Sequence, residues 1–329
     1  MSVPKTTLTD MLINRNNMNR AYKKVKANNG ACGIDGMNIS ELFSYLKRNK
    51  DDILYRLKNG TYTPSPLKVV YIPKDNGDDV RKLSIPTLAD RVVLQAVSQV
   101  INPVFEPVFS EYSHGFRTDK SIMSAISQCR QFIANGNSYA VHLDLENFFD
   151  NINHNRLLQI LSEKIKDDNL LKLIKSFLNS NHSAYGLSQG SPLSPLLSNV
   201  YLNQLDIELS SRNIPFVRYA DDCIMFFKDI HEAVAGIKSI APFIENELDL
   251  KINYSKTRIS HVSKVSFLGY GFYKYKGGCR IKLSDKTIRK VKNRVKNIFS
   301  SCKSFSAKLR ELSLFVHGWI IQYSSVKLK

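Results

Sequence analysis

Two adjacent aspartates, Asp221 and Asp222, interrupt an otherwise largely apolar stretch of the chain. The runs 216–220 and 222–227 predict the two arms of a β-hairpin whose tip lies at or near Asp221. A core position would cost each unpaired carboxylate several kcal/mol, so both belong where water or a cation reaches them. Two interpretations fit: the pair caps a solvent-exposed turn, or it holds a hard cation such as Mg²⁺.

A third carboxylate, Asp144, ends a short apolar strand predicted over 139–145. Asp150, which lies beyond Phe148 and Phe149, competes with Asp144 as a metal ligand. Carboxylates of this kind can hold two Mg²⁺ ions about 3.5–4 Å apart, an arrangement that activates a hydroxyl and stabilises a leaving pyrophosphate.

The periodicity of the whole chain predicts an α+β fold with an antiparallel sheet covered by helices on one side. The predicted strands cover 67–73, 80–85, 139–145, 216–220 and 222–227, with short strands near 250–260 and 265–273, and a hairpin turn at Asp75-Asn76-Gly77. The predicted helices cover 9–29, 40–58, 87–102, 120–135, 155–163, 168–180, 192–208, 231–248 and 305–323, together with a basic amphipathic helix after Ser284.

Positive charge is concentrated at the C-terminal end. The chain has 47 Lys and Arg against 29 Asp and Glu, a net charge of +18. Residues 251–329 hold 19 of the basic and two of the acidic residues, so the first 250 are nearly neutral. Such one-sided charge predicts contact with the phosphates of a nucleic acid, the alternative being a merely soluble basic surface.

Several classes of protein are excluded by the composition. The five cysteines are scattered without a CxxC pair, which argues against a disulfide framework and a structural zinc site. The start of the chain lacks the apolar core of a secretory leader, and no apolar run approaches the ~20 residues of a membrane span. We therefore expect a reduced, cytoplasmic protein without a membrane partner.

Tyr219-Ala220-Asp221-Asp222 spans the predicted hairpin turn with the sequence YADD, and further short motifs occur along the chain. These are Ile72-Pro73-Lys74, Arg81-Lys82-Leu83-Ser84-Ile85-Pro86-Thr87, Ser113-His114-Gly115-Phe116-Arg117, Asp144-Leu145-Glu146-Asn147-Phe148-Phe149-Asp150, Gln189-Gly190-Ser191-Pro192, Asn253-Tyr254-Ser255-Lys256-Thr257, Phe267-Leu268-Gly269-Tyr270 and Gly318-Trp319-Ile320-Ile321-Gln322-Tyr323. In residues and in order, these motifs resemble those of the reverse transcriptases of the bacterial, group II intron-like branch. The YADD sequence is similar to the YxDD motif of that family, and residues 318–323 are similar to its thumb.

The resemblance implies a right-hand polymerase. Its N-terminal extension and fingers would span residues 1–135 and its palm 136–275, with fingers elements interleaved near 155–195. A basic helical thumb would span 276–329. The implied enzyme is an RNA-directed DNA polymerase, a nucleotidyltransferase that uses two Mg²⁺ ions, with Mn²⁺ as an alternative.

The resemblance also assigns roles to single residues. Asp144, Asp221 and Asp222 would be catalytic, and the same three with Leu145 would form the metal site. The dNTP would contact Lys74, Arg81, Phe149, Gln189 and Lys256, and the template and primer would contact Arg117, Phe267, Leu268, Gly269, Arg289, Lys292 and Lys296. Plainer roles stay open: core packing for Phe149, solvated charges for Lys74, Arg81 and Lys256, a turn at Gln189, ion pairing for Arg117 and a buried strand at 267–270.

The implied partners are an RNA template, a DNA or RNA primer, dNTPs and a cognate noncoding RNA, with an accessory protein or a homo-oligomer as a further expectation. The sequence continues only six residues past Tyr323, which favours a short stand-alone enzyme such as those of antiviral defence. Retron enzymes carry Val-Thr-Gly near the primer grip, where this chain has Val265-Ser266-Phe267. Diversity-generating enzymes replace the Gln-Gly motif, which is intact here at Gln189-Gly190. The alternatives are an intron maturase that binds RNA, an RNA-dependent RNA polymerase, and protein-primed or template-independent DNA synthesis.

Overall fold

The amphipathic stretches form helices in the computed structural model, which describes residues 6–73, 80–180, 183–275 and 278–323. The helices are α1 (Leu8–Ile13), α2 (Arg15–Asn28), α3 (Leu42–Lys58), α4 (Leu88–Phe105), α5 (Ile122–Ala134), α6 (Phe148–Asn151), α7 (His154–Lys164), α8 (Asp168–Asn179), α9 (Ser194–Ser211), α10 (Ile230–Pro242), α11 (Asp285–Ser300) and α12 (Phe305–Tyr323). None of them combines the length and the apolar character that crossing a membrane requires, within the ranges just given.

The apolar runs form strands that pair antiparallel. The strands are β1 (Lys68–Pro73), β2 (Val80–Ile85), β3 (Tyr139–Leu143), β4 (Phe216–Tyr219), β5 (Asp222–Phe227), β6 (Arg258–His261), β7 (Ser266–Phe267), β8 (Tyr270–Tyr275) and β9 (Gly278–Leu283). They make a β1-β2 pair, a four-stranded sheet in the order β4-β5-β3-β6 and a three-stranded sheet β7-β8-β9. The predicted turn at 75–77 lies outside the described residues.

The chain divides into two compact units. The first unit consists of Met1–Glu111, Leu145–Glu208 and Ala241–Ile252. In it, α2 packs along α4, whose buried Asp90 accepts hydrogen bonds from Tyr62 Oη (2.8 Å), Ser65 N (3.0 Å) and Thr87 Oγ1 (2.7 Å). Burial raises the pKa of Asp90 despite these donors, so the three hydrogen bonds compensate for a carboxyl group placed inside the core.

The second unit consists of Tyr112–Asp144, Leu209–Ile240 and Asn253–Lys329. Its four-stranded sheet is built around β3, which pairs with β5 on one side and β6 on the other. The apolar residues of β4 and β5 pack with α5 and with the three-stranded sheet in one buried cluster that includes Val217, Phe226, Phe267 and Phe272. This cluster fixes the sheet whose ends carry the polar residues considered below.

Within the described residues, the clearest differences from the predicted elements are the strand β9, which was not predicted, and three altered elements. The single helix predicted over 9–29 is two helices, because Asn14 leaves the helical conformation and caps α2 through a side-chain bond to Asn16 N (2.9 Å). The helix predicted over 231–248 ends at Pro242 and continues as a π-helical turn over Phe243–Glu247. The strand predicted near 250–260 begins only at Arg258, because the preceding residues form a turn at Asn253.

Candidate active site

Three carboxylates lie at the same end of the four-stranded sheet. β4 ends at Tyr219 and β5 begins opposite it at Asp222, so Ala220 and Asp221 form the hairpin turn. Leu143 of β3 lies opposite Cys223 of β5, and Asp144 follows it at that end. The structure therefore brings Asp144 together with Asp221 and Asp222, and all three belong to the second unit.

The three carboxylates repel one another. Partial burial raises the pKa of Asp221 above its usual range, and the negative charges of Asp222 and Asp144 raise it further, while the Arg218 guanidinium lowers it. Like charges held this close favour either a proton or a cation between them. The site is therefore electrostatically prepared for a positive ion.

His142, which is not among the predicted site residues, contacts this group. Its Nε2 forms a short hydrogen bond with Oδ1 of Asp222. Burial lowers the pKa of His142, but the hydrogen bond to Asp222 and the charges of Asp222 and Asp144 outweigh burial and raise it overall. The signal was its position two residues before Asp144, because alternate residues of a strand point to the same face.

The backbone of Asp144 is held by the loop that follows Ile252. Asp144 N donates to Thr257 Oγ1 (3.2 Å), and Asp144 O accepts from Asn253 N (2.8 Å). Lys256, one of the predicted dNTP contacts, lies in this loop and is exposed. Lys256 therefore lies in the loop whose hydrogen bonds hold the backbone of Asp144.

The hairpin turn is held by its neighbours in a conformation that is unfavourable for alanine. Ala220 has φ +58°, in the left-handed region. Arg218, whose side chain is fully buried, donates from Nη1 to Ala220 O (2.9 Å). Gly115 passes so close that a Cβ there would lie 2.3 Å from Ala220 N. The backbone around Gly115 and the buried guanidinium therefore set the position of the turn.

The segment before α5 also carries Arg117, a predicted template contact. Arg117 Nη1 donates to Ser113 O (2.9 Å), and His114 N donates to Arg218 O (2.8 Å). Burial lowers the pKa of His114 to about 4, with the charges of Lys120, Arg117 and Arg218 acting in the same direction. His114 is therefore neutral at neutral pH among three cations.

A cavity of about 570 Å³ in the second unit is bordered by one of the three carboxylates, Asp222. Its lining includes His142, Asp222, Leu268, Gly269, Lys286, Thr287, Lys290, Arg294, Trp319 and Tyr323. Two predicted primer contacts, Leu268 and Gly269, thus face it, whereas Phe267 is buried with its ring against His142, 5.9 Å between centroids.

The basic residues of α11 divide between two faces. Lys286, Lys290 and Arg294 line the cavity, because residues four apart share one face of a helix. The predicted contacts Arg289, Lys292 and Lys296 are exposed and do not belong to that lining. The three predicted template and primer contacts therefore lie on a different face of α11 from the cations that line the cavity.

The remaining predicted site residues belong to the first unit. Arg81 is exposed on β2 opposite Ile72. Gln189 O accepts from Ser84 N (3.0 Å), and half-buried Phe149 packs its ring edge-on against Phe148 at 5.4 Å. Leu145 is buried and bridged to Ile252. Lys74 lies outside the described residues.

The carboxylates at this site suit a metal ion whose remaining ligands are water and substrate phosphates. In the part of the chain that the structure describes, no three His, Cys, Asp or Glu side chains form a complete metal-binding group. Mg²⁺ is usually held by one or two carboxylates together with water and substrate phosphates rather than by an all-protein cage. Asp144 and Asp221 fit that mode of binding.

A family model matches the region of the chain that contains the three carboxylates. The family model described as reverse transcriptase (RNA-dependent DNA polymerase) matches residues 72–272, a range that contains all three carboxylates. The chain belongs to the reverse transcriptase family. The predicted α+β architecture is confirmed as the polymerase fold of that family.

Curated relatives place this reverse transcriptase in the group II intron-like branch, as predicted. It is 29% identical to the group II intron-encoded protein LtrA of Lactococcus lactis subsp. cremoris, over 83% of this chain and 57% of that protein. It is also 29% identical to protein YkfC of Escherichia coli, over 72% of this chain and 74% of YkfC. The chain thus spans just over half the length of the Lactococcus protein.

Among solved structures, the reverse transcriptase is similar to a chain of a partial Cas6-RT-Cas1–Cas2 complex. The match has a TM-score of 0.43 and 22% identity, and it covers 73% of this chain and 43% of that chain.

Proposed function

We propose that this reverse transcriptase copies RNA into DNA. The 3′-hydroxyl of a primer attacks the α-phosphate of a dNTP, so that a phosphodiester bond forms and pyrophosphate leaves. The observation that carries the proposal is the convergence of Asp144, Asp221 and Asp222 at one sheet end, inside the region that matches the family.

Asp144 and Asp221 would hold two Mg²⁺ ions, or Mn²⁺, with the carbonyl of Leu145 as a further ligand. When bound, the ions activate the attacking hydroxyl and stabilise the leaving pyrophosphate. Asp222 is held through one oxygen by His142, which leaves its second oxygen for an outer role. The Arg218 bond to Ala220 keeps the turn fixed while Asp221 acts.

Other residues would bind the substrates. Lys74, Arg81, Gln189 and Lys256 would contact the dNTP, because cations offset the charge that develops on a transferred phosphate. Arg117 would support the template, Phe267-Leu268-Gly269 would hold the primer end, and Arg289, Lys292 and Lys296 would follow the duplex. Fingers over 1–135, a palm over 136–275 and a thumb over 276–329 complete the assignment.

Primer extension tests the proposal. We expect the purified chain to extend a DNA primer on an RNA template with dNTPs, and to require Mg²⁺ or Mn²⁺. A maturase with a vestigial polymerase site would bind the RNA and leave the primer unextended. Products that do not match the template sequence would instead indicate template-independent synthesis.

Phe149 is expected to select deoxynucleotides. An aromatic ring beneath the sugar blocks a 2′-hydroxyl, so Phe149→Ala should reduce the preference for dNTPs over NTPs at least about tenfold. The measurement is the ratio of kcat/KM for dATP and ATP on the same primer. Phe148→Leu, at the buried ring beside it, is the control, and equal ratios for Phe149→Ala and the parent would leave Phe149 with a packing role only.

For the biological role, we propose that the template is a dedicated noncoding RNA used in antiviral defence, with an accessory protein or a second copy as partner. The proposal rests on the two motifs that set the chain apart from retron and diversity-generating enzymes, Val265-Ser266-Phe267 and Gln189-Gly190. Sequencing of the nucleic acid that copurifies with the protein identifies the template directly, and recovery of a self-splicing intron RNA would favour the maturase alternative.

A further inference from the structure

A groove remote in sequence from the catalytic carboxylates lies in the first unit. It has a volume of about 610 Å³ and is lined by α2, α3 and neighbouring residues. Tyr22 and Phe43 form an aromatic pair in its wall, with 6.0 Å between ring centroids and 51° between ring planes. Phe43 is 59% exposed, so its apolar ring is accessible to a ligand in the groove.

Three cations, Arg15, Lys47 and Lys50, lie along the same groove, and its described lining contains no acidic residue. The helices that form it are also basic: α2 has five basic residues and no acidic one, and α3 has five basic and two acidic. One of those acids, Asp52, is already paired with Arg56 (2.9 Å). Because the first 250 residues are nearly neutral together, this charge is a local concentration.

We propose that the groove binds an unpaired segment of RNA, with a base against Tyr22 and Phe43 and with phosphates on Arg15, Lys47 and Lys50. Single-stranded nucleic acid is a polyanion whose bases also present flat aromatic faces. Proteins bind it without strict sequence preference by stacking bases on aromatic side chains and by holding its phosphates in a basic groove. A duplex keeps its bases stacked inside and cannot fill an aromatic groove. The proposal rests on the proposed function, since RNA is the template or partner of such an enzyme.

A binding assay separates this groove from the polymerase site. The full chain is saturated with an RNA–DNA primer–template, and the anisotropy of fluorescein-labelled oligo(A) RNA is then titrated. We expect Phe43→Ala to weaken the binding of oligo(A) about tenfold, because the stacking of one base on the ring is lost. Tyr55→Ala is the matched control, because Tyr55 is an aromatic residue of α3 that is 68% exposed and outside the groove lining.

The salt dependence gives a second readout. Loss of two phosphate contacts in the double variant Lys47→Gln/Lys50→Gln should reduce the slope of log K against log salt by about 1.4, since each contact to a single strand contributes about 0.7. Arg48→Gln/Lys58→Gln, on the same helix and outside the lining, should keep the parent slope.

The outcomes are distinguishable from failure of the polymerase proposal. Phe43→Ala should extend a short primer–template at the parent rate, so loss of extension in the parent chain itself would defeat the polymerase proposal only. Oligo(A) binding that is unchanged in both Phe43→Ala and Lys47→Gln/Lys50→Gln would overturn the groove proposal, as would equal competition by double-stranded RNA.

Discussion

Asp221→Asn is expected to lower the rate of primer extension by about 10³-fold or more without unfolding the protein. The substitution keeps the shape of the side chain and removes the charge that would hold a cation, whose loss removes several kcal/mol of transition-state stabilisation. Partial burial raises the pKa of Asp221, and the charges of Asp222 and Asp144 raise it further, so a neutral amide lowers both the cost of burial and the repulsion. The measurement is single-turnover incorporation of one dNTP, with thermal unfolding measured alongside.

Asp144 and Asp150 provide the matched comparison. Asp144→Asn should lose activity as Asp221→Asn does, because Asp144 lies at the same sheet end. Asp150 is exposed in α6 and belongs to the first unit, so Asp150→Asn should stay within a few fold of the parent. Full activity of Asp221→Asn, or an equal loss in Asp150→Asn, would contradict the assignment of the metal ligands.

The parts of the fold that depend on local patterns could be predicted from the sequence. The apolar runs on either side of Asp221 specify β4 and β5, and the turn falls at Ala220-Asp221 as predicted. The helix after Ser284 was predicted from its basic and apolar faces, and Ser284 does cap it. In these places the spacing of residues along the chain fixes which face is buried.

The parts that depend on long-range contacts could not be predicted. The bond between His142 and Asp222 joins residues 80 positions apart, so the position of His142 two residues before Asp144 indicates its face of the strand but not its partner. Which cations of α11 line the cavity, here Lys286, Lys290 and Arg294, depends on how the helix is rotated, and packing decides that rotation. The break between α1 and α2 depends on Asn14, whose side chain caps α2. The helical periodicity continues through residue 14 and therefore does not indicate this cap.

The second large effect is expected for Gly115→Ala. A Cβ at residue 115 would lie 2.3 Å from Ala220 N and 2.9 Å from Tyr219 C, both backbone atoms that cannot rotate away. The hairpin turn or the segment around Gly115 must therefore move, and Asp221 moves with the turn. We expect a loss of about 1–3 kcal/mol in the free energy of unfolding and about a 10²-fold loss of kcat, because a shift near 1 Å misplaces a catalytic group.

Gly318→Ala is the matched control for Gly115→Ala. Gly318 lies within α12, and a Cβ there meets no atom within 4 Å, so the substitution should preserve activity and raise stability by up to about 1 kcal/mol through helix propensity.

The separate effects of Gly115→Ala on kcat and on KM distinguish displacement of the turn from a general loss of stability. A displaced carboxylate lowers kcat while the KM for dNTP changes little, and a protein that is only less stable recovers the parent kcat when assayed well below its melting temperature. Parent kcat in a stably folded Gly115→Ala would mean that the turn tolerates the added methyl group and that the backbone at Gly115 does not position Asp221.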